Sequence, residues 1–360
     1  MRRDRTDRIS GMLPAAAGFV PVWVLVAVLL VVIAFLAPDT LSGASFGGML
    51  PLGSFLAVAA LGQMLVIMTG GIDLSVPAVV TLAGTLTVGV AEGSDDRLLI
   101  AIVVALAWSA IVGLANGVLV GLLHLNPLIV TLAVGQVIYG FTANYRSGMA
   151  QESAVPGALS SWASGRVIGV SVLFWTGIAM TLLVAAVLRW TAEGRRFRSF
   201  GASPRAAWIA GIDVRRFHVG AYAIAGLLYG TVGVMLAAFI RNPTLGAGAP
   251  YLLGPIAAVV IGGASLRGGV ASATSTWVAA FGLTLLSQML RVLGLPSALQ
   301  FIVFGAAIAA GMIVSGDRVV TVLGRVAARR RPEIVPEPAL VGHVEGSASG
   351  GRTEPPSQRT

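Results

Sequence analysis

Ten apolar stretches dominate the chain, at about 19–37, 46–69, 75–91, 98–122, 127–144, 168–190, 217–240, 251–264, 270–292 and 297–315. Most approach the roughly 20 residues that a helix needs to cross a hydrocarbon core. In lipid every backbone polar group must be satisfied within the protein, so such stretches fold as helices and not as open sheets. The sequence therefore predicts an all-α, polytopic membrane protein of about ten transmembrane helices. Composition agrees: 56% hydrophobic and 11% charged residues, with a mean hydropathy of +0.88, lie outside the range of soluble domains. The weakest stretch is 251–264, short enough to be tilted or re-entrant.

Charge gives the expected orientation. Basic residues collect on cytoplasmic loops, and the 24 basic residues here are all arginine. With a cytoplasmic amino terminus, the inside segments hold nineteen of them: Arg2, Arg3, Arg5 and Arg8, seven from Arg189 to Arg216, Arg267, and seven from Arg318 onward. Five fall outside: Arg97, Arg146, Arg166, Arg241 and Arg291. The stretch 19–37 is longer than a signal-peptide core and reads as a retained first span. The expected organisation is a cytoplasmic segment 1–18, a membrane domain 19–317 with a cytoplasmic loop at 191–216, and a cytoplasmic tail 318–360. The tail is rich in Pro, Gly, Ser and Glu and is expected to be disordered.

Several function classes are excluded. A net charge of +9 reflects arginines at span ends, with no aromatic-interleaved basic face to bind nucleic acid. The chain has no cysteine, which removes disulfides and thiolate chemistry. His124, His218 and His343 are scattered, so no metal site or catalytic cluster is expected. No phosphate-cradling loop is present and no lysine exists to complete one, so the chain is not expected to be an enzyme or to hydrolyse ATP itself.

What remains are polar residues placed among apolar ones. The segment GGIDLS joins the second and third spans: Gly70 and Gly71 permit a bend, Asp73 or Ser75 can cap the third span, and Leu74 lies between them. Asp73 is the only acidic residue near the membrane core, where a bare carboxylate is expensive, so it should be paired, capping or wetted. A related pattern, GGASLRGG with Gly262 and Gly263, follows the eighth stretch, either as a distant internal repeat or as an independent glycine turn. Asn126 and Pro127 open the fifth span as cap and first helical residue. Gln63, Asn116, Gln136, Tyr139 and Gln288 lie within spans. Their uncharged groups either line a path for a hydroxyl-rich solute or bond helix to helix.

The loop 191–216 carries a short helix of about two turns. Ser203 can cap it, Pro204 suits its first position, and Gly211 can end it before Ile212. Ala206, Ala207 and Ala210 leave parts of two faces small, while Arg205, Trp208 and Ile209 add charge and bulk. Such a helix fits a groove on a soluble partner, the alternative being an ordinary basic loop.

Together, GGIDLS, GLANGVLVGLLHLNPLIVTLAVG (113–135), the loop 191–216 and IAAVVIGGASLRGG (256–269) resemble the membrane permease subunit of bacterial ABC sugar importers of the ribose type. The likeness runs over 47–317. It implies a dimeric ten-span permease in the bacterial inner membrane, fed by an extracytoplasmic solute-binding protein. It also implies a separate cytoplasmic ATPase that binds ATP and Mg and docks on the helix from Ser203 to Ile212, the coupling helix of that family. The solute would be a monosaccharide or polyol, moved by alternating access. Departures are Pro77 where the family has glycine, Thr131 to Val134 in place of a TLGT-like segment, and Arg267 where an apolar residue is common. The rivals are a permease of the same superfamily for branched-chain amino acids or nucleosides, and an ion-coupled secondary transporter.

Overall fold

The computed structural model describes residues 20–149, 154–296 and 298–314. The amino-terminal arginines and the tail 318–360 lie outside the described residues. A helix occupies each apolar stretch: α1 (Val20–Leu36), α2 (Gly43–Met68), α3 (Val76–Ala91), α4 (Leu98–Gly121), α5 (Pro127–Ser147), α7 (Val172–Trp190), α10 (Val214–Ile240), α11 (Gly254–Ile261), α12 (Ala273–Val292) and α13 (Ala298–Val314). Between them lie α6 (Gly157–Ser164), α8 (Ala192–Ala202) and α9 (Pro204–Ile209). The one sheet among the described residues is a pair of two-residue strands, β1 (Arg166–Val167) and β2 (Val170–Ser171). The chain is an all-α polytopic membrane protein, and α2, α4, α5, α7 and α10 are each long and apolar enough to cross a membrane.

The core is built on α2. From Met49 to Met68 nearly every residue is buried, on all faces, as expected of a helix that is apolar all round. Helices α7, α10, α11 and α12 pack about it. Helices α4, α5 and α7 keep apolar side chains such as Ile100, Val103, Ile129, Val137, Leu182 and Leu183 exposed, as lipid-facing helices do.

Small residues set the closest contacts. A Cβ placed on Gly113 of α4 would stand 2.3 Å from the Tyr222 carbonyl oxygen of α10, and one on Gly226 of α10 would stand 2.3 Å from the Ser109 carbonyl oxygen. These helices meet backbone to backbone. Without a hydrophobic force between helices in lipid, such close packing is what holds them together.

The stretch 251–264 holds only the eight helical residues of α11, roughly 12 Å at the helical rise and too short to cross alone. The segment 241–250 supplies the missing part. Pro243 packs against Gly84 of α3, and the Gly248 N–H donates to Thr81 Oγ1 at 3.1 Å. The chain thus runs beside α3 through turns and a short 3-10 helix, Ala249–Tyr251, before α11 begins, with its backbone sheltered by protein. Between α5 and α7 lies the short helix α6, whose Ala158 N–H is held by Asp95 Oδ1 at 2.9 Å.

Candidate functional site

The connector between α2 and α3 is the most heavily bonded irregular segment among the described residues. Helix α2 ends at Gly70, φ +83°, with Gly70 N–H on Ile67 O and Gly71 N–H on Val66 O. This is the paired closure of a left-handed glycine cap. The helical hydrogen bonds then lapse for five residues, and side chains from α2, α4 and α5 bond the connector instead. Gln63 of α2, its amide orientation assigned from the network, accepts from Asp73 N at 3.1 Å and donates to Asp73 O at 3.1 Å and to the Tyr229 hydroxyl of α10 at 3.2 Å. Thr131 of α5 accepts from Leu74 N at 2.9 Å. Asn116 of α4 donates to Ser75 Oγ at 2.9 Å.

Asp73 turns back on its own chain. Its Oδ1 accepts from Ser75 N at 2.8 Å and from Ser75 Oγ at 2.6 Å. Ser75 is the residue before α3, but its side chain makes no capping bond. The sequence admitted either residue as the cap; the carboxylate instead shapes the turn, and Pro77 sits in the first helical turn without an N–H to satisfy. Gln63, Asp73, Ser75, Asn116, Thr131 and Tyr229 are all at most 1% exposed.

Beside this connector lies a half-open cavity of about 350 Å³. Leu74, Pro77, Ala78 and Thr81 of the connector and α3 form one wall, Leu132, Gly135, Gln136 and Tyr139 of α5 a second, and Leu245, Gly246, Ala249 and Leu252 of the descending segment the third. No Asp, Glu, Lys, Arg or His lines it. The path candidates therefore divide. Gln136 and Tyr139 face the cavity, Gln63 and Asn116 are spent in the network, and Gln288 is bound by Arg291 of its own helix, Oε1 to Nη2 at 2.7 Å.

The second glycine segment meets the first. Helix α11 ends like α2, with Gly263 N–H on Val260 O and Ala264 N–H on Val259 O, but here the left-handed residue is the second glycine, Gly263, φ +93°. The two Gly-Gly pairs therefore differ by one position in their roles. Gly262 and Gly263 lie away from the polar network; it is Gly268 and Gly269 that reach the α2–α3 connector, Gly269 N–H on Met68 O at 3.4 Å.

The loop 191–216 holds two helices where the sequence reading placed one. Ser203 Oγ accepts from Ala206 N at 3.3 Å, Pro204 opens α9, and Gly211 has φ +77°. Helix α9 is 6 residues long, shorter than expected, and Ile212 N–H closes it on Ala207 O at 3.0 Å. Of the small residues Ala207 is only 3% exposed and packs inward, whereas Trp208 and Ile209 are 71% and 74% exposed. Arg205, Ala206 and Ala210 are exposed with them.

Helix α8 escaped the sequence reading, although Thr191 caps it through Gly194 N at 2.9 Å and Glu193 stands in its first turn. Its Phe197 and Phe200 pack on Phe217 of α10 at 6.0 and 6.2 Å. Its Gly201 abuts the connectors themselves: a Cβ there would stand 2.7 Å from Gly269 O and 3.2 Å from Met68 O.

A comparison with protein families matches residues 45–312 to the branched-chain amino acid transport system / permease component family. The chain is 31% identical over 294 residues to the ribose import permease protein RbsC of Escherichia coli K12, covering 81% of this chain and 91% of that protein. It is 32% identical over 291 residues to RbsC of Bacillus subtilis 168, covering 78% and 87%. It is 30% identical over 283 residues to the L-arabinose ABC transporter permease protein AraH of Azospirillum brasilense, covering 77% and 81%. No solved structure matches. A bundle of apolar helices with a glycine-broken polar connector, matched over most of its length, belongs to the family of branched-chain amino acid transport system permease components.

Proposed function

We propose that this chain is the membrane permease of an ATP-driven importer for a neutral monosaccharide or polyol. One observation carries the solute class: the cavity beside the α2–α3 connector is lined by apolar side chains with Gln136 and Tyr139, and by no charged group. Its volume of about 350 Å³ lies at the small end of the roughly 300–1,000 Å³ typical of small-molecule sites. An amide and a phenol can exchange hydrogen bonds with hydroxyls without trapping the solute by charge. A zwitterionic amino acid would leave two charges unpaired there, which buried surfaces penalise. The sugars after which the relatives are named, ribose and L-arabinose, support the same class.

On this reading the protein sits in the bacterial inner membrane with α8, α9 and both termini in the cytoplasm. The exposed Trp208 and Ile209 would seat in an apolar groove of a separate ATPase, which binds the ATP and Mg. A solute-binding protein would deliver the sugar to the opposite end, and a second permease copy would complete the path. Closure of the ATPase would displace α9 and, through their contact, α8, which Phe197 and Phe200 tie to Phe217 of α10. Gly201 would pass that displacement to the two connectors.

The test is uptake by proteoliposomes containing the permease, its ATPase and its binding protein. ATP-dependent accumulation of a labelled monosaccharide, competed by other sugars and not by leucine, is the expected result. Uptake driven by a sodium or proton gradient without ATP would overturn the importer reading, and leucine uptake the solute class.

A further inference from the structure

We propose that the α2–α3 connector holds a monovalent cation of the sodium class, bound between Asp73, Asn116 and Tyr222. The inference does not rest on the transport reading. Three oxygen atoms at this place are buried and have no hydrogen-bond partner among the described residues: Asp73 Oδ2, Asn116 Oδ1 and the Tyr222 hydroxyl. Their residues are 1%, 0% and 0% exposed. An unpartnered buried polar atom costs about 1–3 kcal/mol, and three of them gathered at one connector point to a shared ligand.

Bonds and contacts link the three. Asn116 Nδ2 donates to Ser75 Oγ at 2.9 Å, and Ser75 Oγ donates to Asp73 Oδ1 at 2.6 Å. The remaining oxygens of the amide and of the carboxylate thus belong to the two ends of one three-residue chain. The Tyr222 hydroxyl lies against Gly71, where a Cβ would stand only 2.3 Å from it. Its ring stem packs beside Gly117, the residue after Asn116, at 3.2 Å from an added Cβ. Two helices and the connector therefore contribute one oxygen each.

The chemistry selects the ligand. Carboxylate, amide and phenol oxygens form a hard, oxygen-only donor set, unsuited to thiophilic or imidazole-seeking metals. Asp73 contributes a single negative charge, which one monovalent cation neutralises; a divalent ion would leave a net positive charge in a site closed to water. Connectors of broken helices coordinate sodium in this manner, with carbonyls of unwound backbone at hand. The ion would fix the connector in the conformation that closes the wall of the cavity at Leu74.

The test uses the full chain purified in detergent, its thermal unfolding midpoint followed by tryptophan fluorescence. Sodium chloride is titrated against choline chloride at constant ionic strength and pH. The expected result is a midpoint that rises with sodium and saturates. Tyr222→Phe removes a hydroxyl that bonds to no protein group, so the variant folds. Its half-saturating sodium concentration should rise by about tenfold, the scale of losing one supporting contact at a metal. Asp73→Asn should lose the sodium response altogether. A wild-type midpoint that ignores sodium but climbs as pH falls would assign a proton to Asp73 and overturn the proposal. So would indifference to both, or a Tyr222→Phe titration that superimposes on the wild type.

Discussion

Gly201 and Gly269 meet backbone to backbone, with room for no side chain: a Cβ on Gly201 would stand 2.7 Å from the Gly269 carbonyl oxygen. The same Cβ would stand 3.2 Å from the Met68 carbonyl oxygen, so one residue of the 191–216 loop touches the ends of both broken segments. Gly201→Val should push α8 off this junction. The expected result is normal assembly with the ATPase and transport reduced by about tenfold, within the range by which interior positions alter coupling between sites. Uptake per turnover of ATP, measured in proteoliposomes, separates this from loss of docking.

Docking itself should depend on the exposed pair. Trp208→Ala together with Ile209→Asp removes the apolar face of α9 without touching its buried side. Co-purification of the ATPase should be lost while the thermal midpoint of the permease stays unchanged, because surface substitutions away from structural features cost little. Ala207→Glu should behave differently. It places a charge where Ala207 is buried, and should unfold the loop as well as abolish docking.

The amide of Gln63 secures both backbone polar groups of Asp73. Gln63→Leu keeps the volume and removes those bonds, leaving a buried N–H and C=O unpaired. A loss of about 1–3 kcal/mol is expected for each such group, read as a lowered midpoint in thermal or denaturant unfolding. Gln63→Glu should be worse, since it adds a second carboxylate within hydrogen-bond reach of the connector.

Gln136 faces the cavity and, among the described residues, its side chain makes no hydrogen bond that supports the fold. Gln136→Leu should therefore leave stability within about 0.5 kcal/mol of the wild type while weakening sugar transport. Concentration dependence of uptake would show a raised KM, and the same variant should have no effect on basal ATP hydrolysis by the partner.

Periodicity and charge made the helices legible, because apolar length alone forces a helix in lipid. The cap at Asn126, with Oδ1 on Leu128 N at 2.9 Å, and the bend at Gly70 were legible for the same local reasons. Illegible were features that depend on what lies opposite. Nothing in the sequence around Thr131 shows that its hydroxyl will hold Leu74, 57 residues earlier. Three alanines on a short helix likewise do not reveal that it is Ala207 that meets the parent chain. Helix α8 was overlooked behind its arginines, although Phe197 and Phe200 at a spacing of three already mark an apolar face. Gln63 and Asn116 were picked out as polar residues in spans, and only the geometry separates their bonding role from the cavity-facing position of Gln136.

The irregular descent of 241–253 beside α3 bears on the order in which the protein enters its membrane. A segment with this many turns and so short a helix after it cannot partition into lipid unaided. It needs Thr81 to receive Gly248 N–H and Gly84 to accommodate Pro243. Both receptors lie on a helix synthesised more than a hundred residues earlier. Folding in the membrane is therefore ordered: α3 must stand in place before 241–253 can settle beside it, so a late segment of the chain fits into a seat that an early helix supplies.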